Sequence, residues 1–361
     1  MAEATIDSRA RFDASGLIDF TRRVFEHFSV PADDAAVGAE VLVDADLQGI
    51  ESHGIAHLPG HAGYVLGLRR GIVKAEPNIE VLRDSPVAST WDADGGLGVV
   101  VGYKAMQACL SKAVENGLGM VAVRNGRHFG AAGYYAQMAA RGDMVGMAMC
   151  NVPAIAAAPG GLDTVFGTNP IAFGAPIEGE NPFLLDMATT AVAAGKLEIA
   201  QRKGKRIPLG WAVDADGNPT DDPEILRNGG ALLPLGSNLD TSSYKGYGLG
   251  LMVDILTGIL PGAESALFGE RHHHGFWFAA WRIDAFTNPG EFKSRMKRMA
   301  EHIRGTRPLE GVESVLIAGD PEWAARADRE KHGVPLEEAT VNQLLKLGEE
   351  IGIPFLDPLS R

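Results

Sequence analysis

The chain has 361 residues, 45% of them hydrophobic and 22% charged. That length allows two or three domains and a core that needs no disulfide staples. With 46 acidic against 33 basic residues the net charge is −13, so the basic face that a nucleic-acid partner requires is not expected.

The first residues, Met1 to Ala4, lack the charged and apolar regions of a signal peptide, and the cytoplasm is the expected location. Ser15 can cap a helix whose Leu17, Phe20, Val24 and Phe28 form one apolar stripe, and Pro31 stops it. A second helix starts near Asp33 or Asp34 and runs toward Leu47, just before Ser52-His53-Gly54. The middle reads as short buried strands: 120–123, 144–149, 164–166 and 183–186, then an aromatic strand over 276–281. Helices are expected between them over 131–141, 190–202 and 246–260. The last of these is the longest apolar segment. Asp254 interrupts it, and it falls short of the about 18 apolar residues a membrane span needs. Phe292, Met296, Met299 and Ile303 keep a helical period; Pro321 and Pro335 each open a further helix. Cys109 and Cys150 read as buried thiols of a reducing compartment. Helical ends thus flank a mixed centre, with boundaries at 1–85, 86–305 and 306–361.

Glycine is over-used, with 45 residues against roughly 25 expected from average composition. Several glycines fall in short motifs that carry candidate chemistry. His53 is the first candidate, because an imidazole titrates near working pH and can both give and take a proton. Asp186 ends an apolar strand, where a carboxylate could orient an imidazole or cap a helix. His128-Phe129-Gly130-Ala131-Ala132 precedes a helix whose first N–H groups could hold a pyrophosphate. Lys245 stands before a glycine-rich helix start and suits an anion. Arg326 or Arg329 could meet a 2′-phosphate. The G-x-G-x-x-G dinucleotide signature is absent, since Gly96-Leu97-Gly98 and Gly246-Tyr247-Gly248 both lack the third glycine. His53, His57 and His61 have metal-ligand spacing, the basis of a rival reading as a metal-dependent hydrolase. Gly54, Pro59 and Gly60 break the helix that such a site would need, and no metal is expected.

The ordered set Ser52-His53-Gly54, His128 to Gly133, Gly167-Thr168-Asn169-Pro170, Asp186 to Thr190 and Lys245 to Gly248 resembles the type 2 malate/L-lactate dehydrogenase family. The resemblance runs from about Phe12 to about Leu356. It implies an α+β fold with a non-Rossmann, largely antiparallel sheet domain for NAD or NADP. It further implies a helical domain built from both chain ends, and a homodimer. The implied activity is hydride transfer between NAD(P) and a small 2-oxo acid or its 2-hydroxy counterpart. Reduction of a cyclic imine 2-carboxylate is the alternative. By the same resemblance His53 is the proton donor, with Ser52 and Asp186 in its relay. Thr168 contacts substrate or nicotinamide, the His128–Ala132 motif contacts the cofactor, and Gly319-Asp320 lies near its adenosine end. One position departs from the pattern. The family's Ser-His-Gly-x-x-Arg grips the substrate carboxylate with its Arg, and here that residue is His57, which lacks the bidentate fork.

Overall fold

The structure is a computed structural model that describes residues 9–59, 64–202, 204–269 and 273–360. The chain enters through β1 (Ala10–Phe12), α1 (Ala14–His27), α2 (Ala32–Leu47) and α3 (Tyr64–Arg69). The hairpin β2 (Glu80–Asp84) and β3 (Ala88–Asp92) leads to α4 (Gly98–Asn116), β4 (Leu118–Gly126), α5 (Gly133–Arg141) and β5 (Met144–Cys150). Short strands β6 (Ala156–Ala157) and β7 (Thr164–Phe166) precede β8 (Ile171–Ala175), β9 (Phe183–Met187) and α6 (Ala194–Arg202). Next come β10 (Ala212–Val213), β11 (Pro219–Thr220), β12 (Ala231–Leu232) and α7 (Tyr244–Asp254), which runs on as a π turn over Ile255–Ile259. The last elements are β13 (His274–Arg282), α8 (Pro289–Arg304), α9 (Asp320–His332), β14 (Val334–Leu336) and α10 (Glu338–Ile351).

A seven-stranded sheet of order β2-β3-β4-β13-β5-β8-β9 forms the centre. Only β3 and β4 run parallel; the other five pairings are antiparallel. The aromatic strand β13 lies in its middle, paired with β4 on one side and β5 on the other. Its alternation decides what each face buries. Phe276, Phe278 and Ala280 join Cys109, Phe129 and Tyr135 in one core, under α4 and α5. Trp277 points the other way, toward Met149, Ile171 and Val253 of α7.

The two chain ends meet. β1 pairs antiparallel with β14, Arg11 opposite Pro335. One core holds Leu17, Phe20 and Val24 of α1, Leu42 of α2 and Leu344 of α10. The predicted stripe of α1 is therefore buried as expected, but its cap is Asp13, which accepts from the Gly16 N–H at 2.8 Å, not Ser15. Pro335 does not open the last helix. It sits in β14, where a two-stranded ribbon tolerates a residue without an N–H. α6 starts at Ala194 instead of Thr190, because Thr190 and Thr189 spend their hydroxyls on the carbonyls of Val192, Thr168 and Asn169 in a turn.

Candidate active site

The loop after α2 carries Ser52, His53 and His57 to the wall of a cavity of about 660 Å³. Asp46, in the last turn of α2, holds this loop from beneath. Its carboxylate accepts from the Ile55 N–H at 2.7 Å. Gly54 lies so close that a Cβ there would come within 2.0 Å of the Asp46 Oδ1, so no other residue fits. Burial pushes the Asp46 carboxyl up to about 7. Sequence reasoning passed over Asp46, which reads as one more acid in a helix.

Among the described residues, four imidazoles face the cavity: His53, His57, His128 and His274. The His53 Nδ1 shares a hydrogen bond with the Ser52 Oγ at 2.9 Å. Its ring stacks on that of His128, centroids 5.6 Å apart and planes 18° apart. His57 stands 5.8 Å from His53 and 5.0 Å from His128 by centroid. Tyr64 on α3 bonds the His128 Nδ1 at 2.7 Å through its hydroxyl. Burial, and then the neighbouring His57, pull His53 down to about 4. Burial and the other three histidines likewise hold His128 well below the ordinary imidazole range. His53 is therefore neutral at pH 7, with one nitrogen held by Ser52. Such a group is a proton acceptor, suited to the hydroxyl of an alcohol substrate.

A family model for malate/L-lactate dehydrogenase matches residues 12–345 of the chain. The chain belongs to the malate/L-lactate dehydrogenase family. It is accordingly an oxidoreductase of 2-hydroxy acids. It is 40% identical to a malate dehydrogenase of Pyrococcus abyssi over 97% of this chain and 98% of that one. It is 39% identical to an L-sulfolactate dehydrogenase of Methanocaldococcus jannaschii over 92% and 95% of the two chains. The solved malate dehydrogenase of Pyrococcus horikoshii superposes with a TM-score of 0.89 at 38% identity, covering 96% of this chain and 97% of that one.

Against the dehydrogenase motifs, the cavity gathers some of the expected residues and not others. Thr168 lines it with Ser52, His53, His57 and His128. Phe129, Ala131 and Ala132 are instead buried in the core under the sheet. Asp186 is also elsewhere. Its Oδ2 accepts the Gly133 N–H at 2.7 Å, and among the described residues it makes no hydrogen bond to His53. It caps the start of α5 at one of the N–H groups of the helix start considered for a pyrophosphate. Burial raises its carboxyl to about 6. Lys245 is exposed, its Nζ 5.9 Å from the centre of the Tyr244 ring. Gly319 begins α9 with φ +101°, and Asp320 takes two bonds from Arg304, at 2.7 and 3.0 Å. Arg326 is paired with Asp44 and Glu330, and Arg329 with Glu51.

Of the histidines considered for a metal, His61 lies outside the described residues. Among the described residues no group of three or more His, Cys, Asp or Glu is placed to hold a metal ion. No helix among them is long and apolar enough to cross a membrane. The residues that sequence reasoning missed are Asp46, Tyr64, Arg70 and Arg127. Arg127 had a signal, standing next to His128, but the partner that fixes its Nε, the Ile72 carbonyl at 2.7 Å, lies 55 residues away along the chain.

Proposed function

We propose that this chain moves a hydride between NAD or NADP and a small 2-oxo acid or its 2-hydroxy counterpart, in the cavity beside His53. The observation that carries this is the half-buried, neutral His53 on its Ser52 partner, at the wall of a cavity in a malate/L-lactate dehydrogenase family chain. The cavity is larger than a three- or four-carbon acid needs and lies within the range of small-molecule and cofactor sites. Its wall adds apolar Val152, Pro153 and Ile155 to the polar histidines, which fits a flat nicotinamide ring beside a polar substrate. His128 and Thr168 would hold that ring. Lys245, Gly319, Asp320 and Arg326 remain candidates for the nucleotide's far end, with Arg326 having to leave Asp44 to serve. A nicotinamide, when bound, supplies or accepts the hydride.

The protein's own residues handle the proton. Neutral His53 takes it from the hydroxyl of a 2-hydroxy acid. In the reverse direction protonated His53 returns it to the ketone oxygen. Ser52 fixes the ring, and Asp46 fixes the loop that bears it. An anionic substrate beside His53 stabilises the charged imidazole and so loads it with the proton that reduction needs. The reading includes a cytoplasmic homodimer, supported by the exposed apolar side chains Tyr244, Ile255, Ile259 and Leu260 on one stretch around α7.

The test is a panel of 2-oxo acids assayed with NADH and with NADPH. Turnover is expected with at least one pair, and none with any pair overturns the reading. Extended chelation should leave the rate unchanged. Loss restored by one specific metal would favour the hydrolase reading instead.

A further inference from the structure

His57 stands where the resembling family has its carboxylate-gripping Arg, so an acid group entering this cavity needs another cation. Among the described residues that line the cavity, those of the Lys, Arg, Asp and Glu types are Arg70, Arg127 and Glu198. Burial and mutual repulsion keep His53 and His128 neutral. Arg127 is part of the wall: its Nε and Nη1 donate to the carbonyls of Ile72 and Gly126 at 2.7 and 2.9 Å. A guanidinium spent this way has few donors left to offer.

Arg70 is different, and its neighbour shows how. Arg69 is the last residue of α3 and Arg70 the first beyond it. Arg69 turns outward, pairs with Glu350 at 3.0 Å and lies 5.4 Å from the centre of the Phe28 ring. Arg70 turns the other way. It lines the cavity with Leu66 and Gly67, which lie on α3 just before it. Among the described residues its guanidinium has no hydrogen bond or ion pair. An exposed arginine at a cavity wall, with no bond to another described residue, presents a fork matched to a carboxylate or a sulfonate.

We propose that Arg70 receives an acid group of the substrate, taking over the work that His57 cannot do. The inference rests on the 2-oxo acid reading and names its substrate class as one with an acid group within reach of α3. The experiment compares wild type, Arg70→Gln and Arg70→Lys with the best 2-oxo acid and nicotinamide found for the wild type. Arg70→Gln should raise KM for the acid by about 10–100-fold, the worth of a charge-assisted hydrogen-bond pair. kcat should change by less than about threefold, and KM for the nicotinamide should not move. Arg70→Lys should recover part of the loss, because it keeps the charge without the fork. An unchanged KM for the acid in Arg70→Gln overturns this assignment while leaving the 2-oxo acid reading intact. A rise in the nicotinamide KM instead also overturns it, since Arg70 would then serve a cofactor phosphate. Absence of any wild-type turnover overturns the 2-oxo acid reading, and this inference with it.

Discussion

Two glycine-containing motifs that each carry a histidine face the same cavity, and they are built differently. The Ser52–His57 loop hangs from one buried carboxylate, Asp46, and sends Ser52, His53 and His57 into the space. The His128–Ala132 turn gives the cavity only His128; its Phe129 stacks at 4.9 Å on Phe276 in the core, and the helix start behind it is capped by Asp186. The Asp186 carboxylate, 53 residues further along the chain than Gly133, holds one of the N–H groups at that helix start.

The largest expected difference between the two is catalytic. His53→Gln should lower kcat by about 10²–10⁴-fold, the usual worth of a general acid–base group, with nicotinamide binding retained by fluorescence titration. Turnover close to wild type would move the proton donor elsewhere. Asp186 probes the other motif. Asp186→Ala leaves the Gly133 N–H buried without a partner and should cost about 1–3 kcal/mol in urea unfolding. Asp186→Asn keeps an acceptor for Gly133 and should keep most of the turnover. A large loss of kcat in a stably folded Asp186→Asn would return Asp186 to the His53 relay.

Asp46 should show itself in the pH dependence of stability. Its folded pKa, about 7, lies above the ordinary value of 3.8, so between those limits the folded chain holds a proton that the unfolded chain releases. That contribution is present below about 4 and is lost as the pH rises through 7. Asp46→Asn removes the titration and keeps an acceptor for Ile55. The Tm difference, variant minus wild type, should therefore increase from pH 4 to pH 8. A constant difference would mean that Asp46 does not titrate in this window. The smallest effect belongs to His57. His57→Arg adds a fork beside His53 and should lower KM for dicarboxylic 2-oxo acids several-fold relative to monocarboxylic ones. An unchanged ratio would make position 57 a bystander in substrate choice.

Much of the fold is legible in the sequence where a local period exists. The α1 stripe and the aromatic strand β13 are read from spacing and side-chain type, since each buries one face. What is not legible is long-range. Nothing local in Pro335 says that it pairs opposite Arg11 and stays extended. Ser52, His53, His57, Thr168 and His128 are legible as cavity residues through the ordered motifs. Asp46 and Arg70 are not, because an acid late in a helix and the second of two arginines carry no local mark. Only the packing shows that one bears up the loop carrying His53 and that the other lines the cavity while Arg69 turns out.

The central claim is that His53 is neutral in the free cavity and takes up a proton beside an anionic substrate. NMR titration of its imidazole tests this directly, with the signal assigned by its loss in His53→Gln. The free protein should show His53 titrating near 4. Saturating oxamate, a 2-oxo acid analogue that is not reduced, should be applied together with the nicotinamide, and should move the titration up by a unit or more, roughly the effect of one close anion. A His53 that titrates at about 6.5 with and without oxamate would match a solvated imidazole and contradict the account.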